Sequence, residues 1–171
     1  MQIEKISTEF FYYDVPNAEI HKKNLLKLIN LIPNNPYENI SHTDWNLPEK
    51  FEKKYLKYFY DNILQNMMKE QTDYYKFEKW VIDRCWFQQY GNNSEHFWHS
   101  HPKSNFTNIY FLELPDKSLK TSLKVLGKEF DYDVKEGQII TFPASILHCS
   151  KANNTNKRKT VISFNSDFYY N

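Results

Sequence analysis

Three histidines and a distant basic run are the residues of this 171-residue chain whose types and spacing could do chemistry. His99 and His101 are separated only by Ser100; His148 and the run Lys157-Arg158-Lys159 lie further along. On an extended strand, residues i and i+2 project from one face, so the rings of His99 and His101 can reach one ion. His148 follows Ile139-Ile140-Thr141-Phe142-Pro143, an apolar run that reads as a neighbouring buried strand. Three side chains converging this way form a facial set that leaves the opposite coordination positions open, which suits a mononuclear iron site. Arg158 would serve an anionic cosubstrate there, because its planar fork meets a carboxylate with two parallel hydrogen bonds.

Those residues need elements to hold them. Residues 2–14 alternate loosely around Phe10, Phe11, Tyr12 and Tyr13, and predict a strand ended by Asp14-Val15-Pro16. Asn17 reads as the N-cap of a helix over 18–31, with Ile20, Leu25, Leu26, Leu28, Ile29 and Leu31 as its apolar stripe. Pro33-Asn34-Asn35-Pro36 breaks it, and 34–47 reads as irregular. A second helix is expected from near Pro48 to about Gln71, with Phe51, Tyr55, Leu56, Phe59, Ile63, Leu64 and Met67 facing a sheet. From residue 77 the period changes to two. Strands are expected over 77–90, 106–114, 119–126, 130–134, 137–142, 146–151 and 159–168, separated by turn residues such as Gly91-Asn92-Asn93 and Glu136-Gly137. Helices followed by a run of short strands predict an α+β fold. A single domain spans 1–171, with a helical lead-in over 1–75 packed on one face of a β-sandwich or barrel over 76–171.

Bulk composition excludes several function classes. With 22 basic and 21 acidic residues the formal net charge is +1, so no partnership with nucleic acid or a membrane surface is expected from charge. Thirteen Tyr and thirteen Phe suit aromatic sheet faces. Cys85 and Cys149 do not make a disulfide framework and read as reduced thiols of a cytoplasmic protein. No apolar run is long enough to span a bilayer, and the N-terminal residues lack the apolar core of a secretory signal.

The order of motifs resembles the iron(II)- and 2-oxoglutarate-dependent oxygenases. The likeness rests on Trp86-Phe87-Gln88-Gln89-Tyr90, His96-Phe97-Trp98-His99-Ser100-His101-Pro102 and Asn108-Ile109-Tyr110-Phe111-Leu112-Glu113-Leu114-Pro115. It continues in Glu136-Gly137-Gln138-Ile139-Ile140-Thr141-Phe142-Pro143, His148 and Arg158-Lys159-Thr160-Val161-Ile162-Ser163-Phe164-Asn165. It covers about residues 77–170 and touches Thr43-Asp44-Trp45. The resemblance implies a double-stranded β-helix, or jelly roll. It also implies Fe(II), 2-oxoglutarate and dioxygen, with hydroxylation of an unactivated C–H bond and succinate and carbon dioxide as co-products.

Residue by residue, it makes His99, His101 and His148 the metal ligands, although His101 stands where the family has Asp or Glu. A neutral imidazole there raises the site charge by one unit, and the 2-oxoglutarate dianion would balance the resulting +2. Arg158 is expected to bind the distal carboxylate, with Thr160 on the same strand face adding a hydroxyl. Lys159 is the competitor for that role, on the opposite side of the strand. Tyr90 stands where relatives hold a tyrosine that touches 2-oxoglutarate. His96 is placed at the lip of the site, His21 and His42 on the surface, and Asn108 and Tyr110 on a face lining the pocket. The substrate is expected to be a small molecule or a protein residue such as proline, chosen by the lead-in and the loops around 34–47, 91–95 and 102–106. Two other readings stay open: a three-histidine, cupin-like dioxygenase that does not use 2-oxoglutarate, and a catalytically inactive metal-binding jelly roll.

Overall fold

The segments that alternate with period two form two antiparallel sheets whose inner faces meet. The computed structural model describes residues 4, 7–33, 41–48 and 51–170. The larger sheet joins β1 (Phe11–Asp14), β2 (His42–Thr43), β3 (Lys79–Tyr90), β5 (Phe106–Glu113), β8 (Gln138–Pro143) and β10 (Lys159–Tyr169), in the order β1-β8-β5-β10-β3-β2. The smaller joins β4 (His96–His99), β6 (Ser122–Val125), β7 (Lys128–Phe130) and β9 (Leu147–Ser150), in the order β4-β9-β6-β7. From β3 onward the chain passes mostly back and forth between the two sheets, which is the winding of a jelly roll. The expected α+β class and double-stranded β-helix are therefore the observed architecture.

Strand alternation divides the large sheet into two chemically different faces. Phe87, Tyr110, Leu112, Ile139, Ile162 and Phe164 belong to one buried cluster together with helical residues Leu25, Ile29, Tyr55, Phe59, Ile63 and Met67. Tyr90, Ile109, Phe111, Ile140, Phe142 and Val161 belong to a second cluster that includes Leu123 of the small sheet. The helices thus cover the outer face, and the small sheet covers the inner one. Phe59 illustrates the outer packing, stacked on Tyr110 at 6.0 Å and edge-on to Phe164 at 5.6 Å between ring centroids. Asn108 and Tyr110 lie on this helix-facing side, not on the pocket side. Asn108 instead bonds Thr141 Oγ1 and Ser166 Oγ within the buried layer.

Helix α1 (Ala18–Ile29) forms where its stripe predicts it, but Asn17 is no side-chain cap. It takes a left-handed conformation, φ 54°, a backbone state Asn tolerates better than most residues. The second helix starts at Lys54, later than the Pro48 of the sequence reading. It runs as α2 (Lys54–Phe59), a π-helical segment (Tyr60–Leu64) and α3 (Gln65–Tyr75). The wider turn carries Gln65 N–H to Tyr60 O and keeps Phe59, Ile63, Leu64, Met67 and Met68 all buried against the sheet. Gly137, at φ 85°, joins lead-in and sheet. A Cβ there would stand 2.8 Å from Ala18 Cβ, and its carbonyl accepts from Val15 N–H at 3.1 Å.

Strand bounds differ from expectation at several edges. The first strand is confined to 11–14, and part of the expected span from 2 lies outside the described residues, as do 34–40 and 49–50. The strand expected over 130–134 is replaced by β7, after which Tyr132 and Val134 still bury into the inner core. Both cysteines are free thiols. Among the described residues, no helix is long and apolar enough to cross a membrane.

Candidate metal centre

The small sheet brings the histidines together. In the antiparallel pair β4–β9, His99 lies opposite His148 and His96 opposite Ser150, with a register shift between the two pairs. His101 follows just after β4 and is tied back by its N–H to Ala144 O at 2.8 Å. One ligand atom from each of His99, His101 and His148 lies within 4.8 Å of the others. Ring centroids are 4.2 Å apart for His99–His148 and 5.1 Å for both pairs involving His101.

Tautomers follow from the hydrogen bonds. His99 Nδ1 lies 2.7 Å from Phe97 O, and His148 Nδ1 lies 3.0 Å from Ile146 O. A carbonyl oxygen only accepts, so each Nδ1 carries the hydrogen and each Nε2 presents a lone pair. His101 Nε2 is buried with no hydrogen-bond partner. Burial pushes His148 down to about 3 and His101 down to about 4, with the neighbouring imidazoles adding to it; His99 is lowered by burial as well. Three neutral imidazoles with inward lone pairs, one of them an orphaned buried nitrogen, fit a divalent cation. The space they enclose is about 20 Å³, room for one ion or water.

The inner face of the large sheet supplies the walls. Trp86, Gln88 and Tyr90 of β3, Thr107 and Ile109 of β5, and Val161 and Ser163 of β10 alternate inward towards the histidines. No Asp or Glu is among the lining residues, so His101 has no carboxylate substitute nearby among the described residues. His96 stands beside His99, 4.1 Å between centroids, outside the three-ligand group but lining the same cavity. His42 and His21 are not free surface residues: His42 Nδ1 lies 2.9 Å from Gln89 Oε1, and His21 Nδ1 lies 2.9 Å from Tyr58 Oη.

The basic residues occupy the reverse of their expected faces. Arg158 turns away from the histidines and grips Glu113 with two bonds, Nε to Oε2 at 2.8 Å and Nη2 to Oε1 at 3.1 Å; Nη1 reaches Asn30 Oδ1 at 3.2 Å. Thr160, on the same side, donates to Glu113 Oε2. Lys159 points inward, is 1% exposed, and donates to Ser150 Oγ at 2.9 Å; its Nζ lies 4.9 Å from the Tyr90 ring centroid. An ammonium has three donors, and here one hydroxyl and one aromatic face meet them, with no acid in an ion pair among the described residues. Burial therefore lowers its pKa to about 7. β10 itself alternates without interruption here, so Lys159, Val161 and Ser163 share the inner face; the irregularities along it leave the extra residue in its neighbours, Leu112 of β5 and Asp83 of β3.

Two contributors escaped the sequence reading. Ser150 lies two residues after His148 on β9, so the i+2 rule could have found it. Thr121 precedes β6 and carries no sequence signal. A third feature, Thr43-Asp44-Trp45, was visible as a motif but not as a structure. Asp44 is fully buried; its carboxylate accepts from Phe87 N–H at 2.9 Å and Tyr55 Oη at 2.7 Å and pairs with Lys53 Nζ at 3.0 Å. That anchor seats Trp45 edge-on against Trp86, 4.6 Å between centroids.

No protein-family model and no curated protein matches the chain. Solved structures do. A 2OG-Fe(II) oxygenase family oxidoreductase from Burkholderia pseudomallei superposes with a TM-score of 0.70 at 14% identity, over 92% of this chain and 84% of the other. HygX from Streptomyces hygroscopicus, solved with nickel and 2-oxoglutarate, gives 0.69 at 8% identity over 92% and 82%. The viral collagen prolyl hydroxylase of Paramecium Bursaria Chlorella virus-1, in its 2OG complex, gives 0.62 at 14% identity over 92% and 94%. At these identities the likeness is one of architecture, and by it the chain has the fold of the 2-oxoglutarate- and iron(II)-dependent oxygenases.

Proposed function

We propose that the protein is an Fe(II)- and 2-oxoglutarate-dependent dioxygenase in which His99, His101 and His148 hold the metal and Lys159 anchors the cosubstrate. The observation that carries this reading is the buried ammonium of Lys159, which has no acid in an ion pair among the described residues and is bonded to Ser150, a residue lining the same cavity as the three imidazoles. A cation site and a buried cationic anchor together suit a small dianion better than either would alone. When bound, the iron and 2-oxoglutarate supply the oxidising power for hydroxylating a C–H bond of a second substrate, releasing succinate and carbon dioxide.

The chain's own residues do the positioning. The three neutral histidines leave the full +2 charge on the metal, which a dianion neutralises. Lys159 and Ser150 offer donors to the distal carboxylate, and the Tyr90 ring faces the Lys159 ammonium. Arg158 and Thr160 take no part, because Glu113 occupies both. Relatives in fold include prolyl hydroxylases, which supports a hydroxylase acting on a small molecule or a peptide residue.

The test is anaerobic titration of Fe(II)-loaded protein with 2-oxoglutarate, followed by the visible charge-transfer band that bidentate chelation produces. The band is expected in the wild type, absent in His148→Ala, shifted to much higher 2-oxoglutarate in Lys159→Met and unchanged in Arg158→Ala. Metal uptake with no band would favour the cupin-like or inactive jelly roll instead.

A further inference from the structure

A second cavity, of about 250 Å³, opens onto His99 and His101 of the metal group, with His96 beside them, and is walled by Thr43, Trp45, Trp86 and Gln88. It is distinct in chemistry from the inner space beside Lys159. Two indoles make its sides, uncharged Ser, Thr and Gln residues its polar points, and no acid lines it among the described residues. Its outer end is marked by Arg84. Arg84, Trp86, Gln88 and Tyr90 alternate along one face of β3, so Arg84 is the rim member of the row whose deeper members reach the metal centre.

The Arg84 guanidinium carbon lies over Trp45, 3.7 Å from the ring centroid, a separation at which the guanidinium stacks on the ring. Trp45 meets Trp86 at 4.6 Å, and Trp86 meets His101 at 5.7 Å. Stacking uses the face of a guanidinium and leaves its in-plane N–H donors at the edge. Arg84 is exposed and, among the described residues, enters no ion pair and donates no hydrogen bond to a protein acceptor. The basic group at the other end of the molecule, Arg158, is by contrast fully engaged by Glu113. The rim thus carries an unmatched cation with its fork free, the wall two aromatic faces, and the floor the metal ligands. Along a strand, the rise from residue 84 to residue 88 is about 13 Å.

Building on the dioxygenase reading, we infer that the substrate is a carboxylic acid with an extended, neutral, largely apolar body. Its carboxylate meets the edge of Arg84, its body lies along Trp45 and Trp86, and its far end reaches the histidines. A cationic substrate is disfavoured, because it would meet Arg84 with no acid among the described lining residues to offset it.

The test uses zinc-loaded protein without oxygen, saturated with 2-oxoglutarate so that Lys159 is occupied. Calorimetric titrations compare 4-phenylbutanoate, its amide 4-phenylbutanamide and the amine 4-phenylbutylamine. The acid is expected to bind about fivefold more tightly than the amide, as befits an exposed ion pair, and the amine most weakly. Arg84→Gln should abolish the acid-over-amide preference and leave amide binding unchanged. Trp45→Leu should weaken acid and amide alike. Equal binding of acid and amide, a preference that survives Arg84→Gln, displacement of the acid by 2-oxoglutarate, or no uptake of any probe at millimolar concentration would each overturn the assignment. The same titrations report 2-oxoglutarate binding separately: its absence, with the acid preference intact, would defeat the dioxygenase reading and leave this one standing.

Discussion

The two faces of the large sheet are built from the same strands and do opposite work. The helix-facing side buries Phe87, Tyr110, Ile162 and Phe164, and its polar groups are structural anchors: the Asn108–Thr141 layer at one end and the Asp44 carboxylate held by Tyr55, Phe87 N–H and Lys53 at the other. The inner side lines the histidine cavity with half-buried Gln88 and buried Thr107 and Ser163, and buries Lys159 behind Ser150. A side chain moved by one residue along β10 changes from stability to chemistry, because alternation sends neighbours to opposite faces. Unpartnered buried polar atoms occur on both sides: His101 Nε2 at the metal centre, and Tyr110 Oη, Gln71 Oε1, Thr72 Oγ1 and His42 Nε2 on the helix-facing side.

That contrast can be broken from either side. The largest effect expected is from Phe59→Ala, which empties a fully buried position between Tyr110 and Phe164. Denaturant unfolding should show a loss of about 3–5 kcal/mol, while metal affinity measured by competition with a chelator stays unchanged. Lys159→Met should do the reverse. It removes a buried charge, so the metal-free protein should gain stability, while 2-oxoglutarate affinity falls by roughly 100-fold for want of charge-assisted bonds. If the Met variant is less stable and binds 2-oxoglutarate normally, the two faces are not divided as described.

A pH series sharpens the same point. Lys159 is lowered to about 7 in the folded protein, whereas an unfolded chain holds its lysine protons to the ordinary value of about 10.4. Between these limits the unfolded chain binds the extra proton, so this residue makes stability rise with pH across the window and contributes no slope below it. Binding of 2-oxoglutarate needs the charged form. Affinity should therefore be flat below pH 7 and fall by about tenfold per unit above it, with proton uptake visible as a buffer-dependent heat. Lys159→Met should abolish both slopes. The smallest effect belongs to Arg158→Ala: a half-exposed ion pair with Glu113 is lost, costing about 0.5–1 kcal/mol in thermal unfolding, with no change in 2-oxoglutarate affinity.

Much of the centre was legible because it depends on spacing. His99 and His101 lie two apart, the period changes from helical to alternating after residue 77, and both features survived folding. What misled was β10. Residues 159–166 are buried on both faces, so no polar alternation marks which side is inward, and such strands read as continuous runs. Arg158 was therefore expected on the inner side, where the structure places Lys159. Asn17 stands at the expected N-cap position, where its backbone carbonyl accepts from Ile20 and His21 N–H, while its left-handed conformation leaves no side-chain cap bond, a detail the residue type alone does not reveal. The roles of Arg84, Trp45 and Trp86 needed the sheet, since β3 and the segment around Asp44 are far apart in sequence.

The two aiming bonds of the metal centre, His99 to Phe97 O and His148 to Ile146 O, each reach a carbonyl two residues upstream in the same stretch of chain. In most metal sites such support comes from a distant side chain, and a change there loosens the ligand. Here no side chain is involved in either bond. The direction of the metal hand is thereby insulated from the residues that shape the outer cavity. Substitutions at Trp45, Arg84 or the lead-in can alter what is bound without disturbing how the metal is held, so this scaffold can diversify its substrates while its chemistry stays in place.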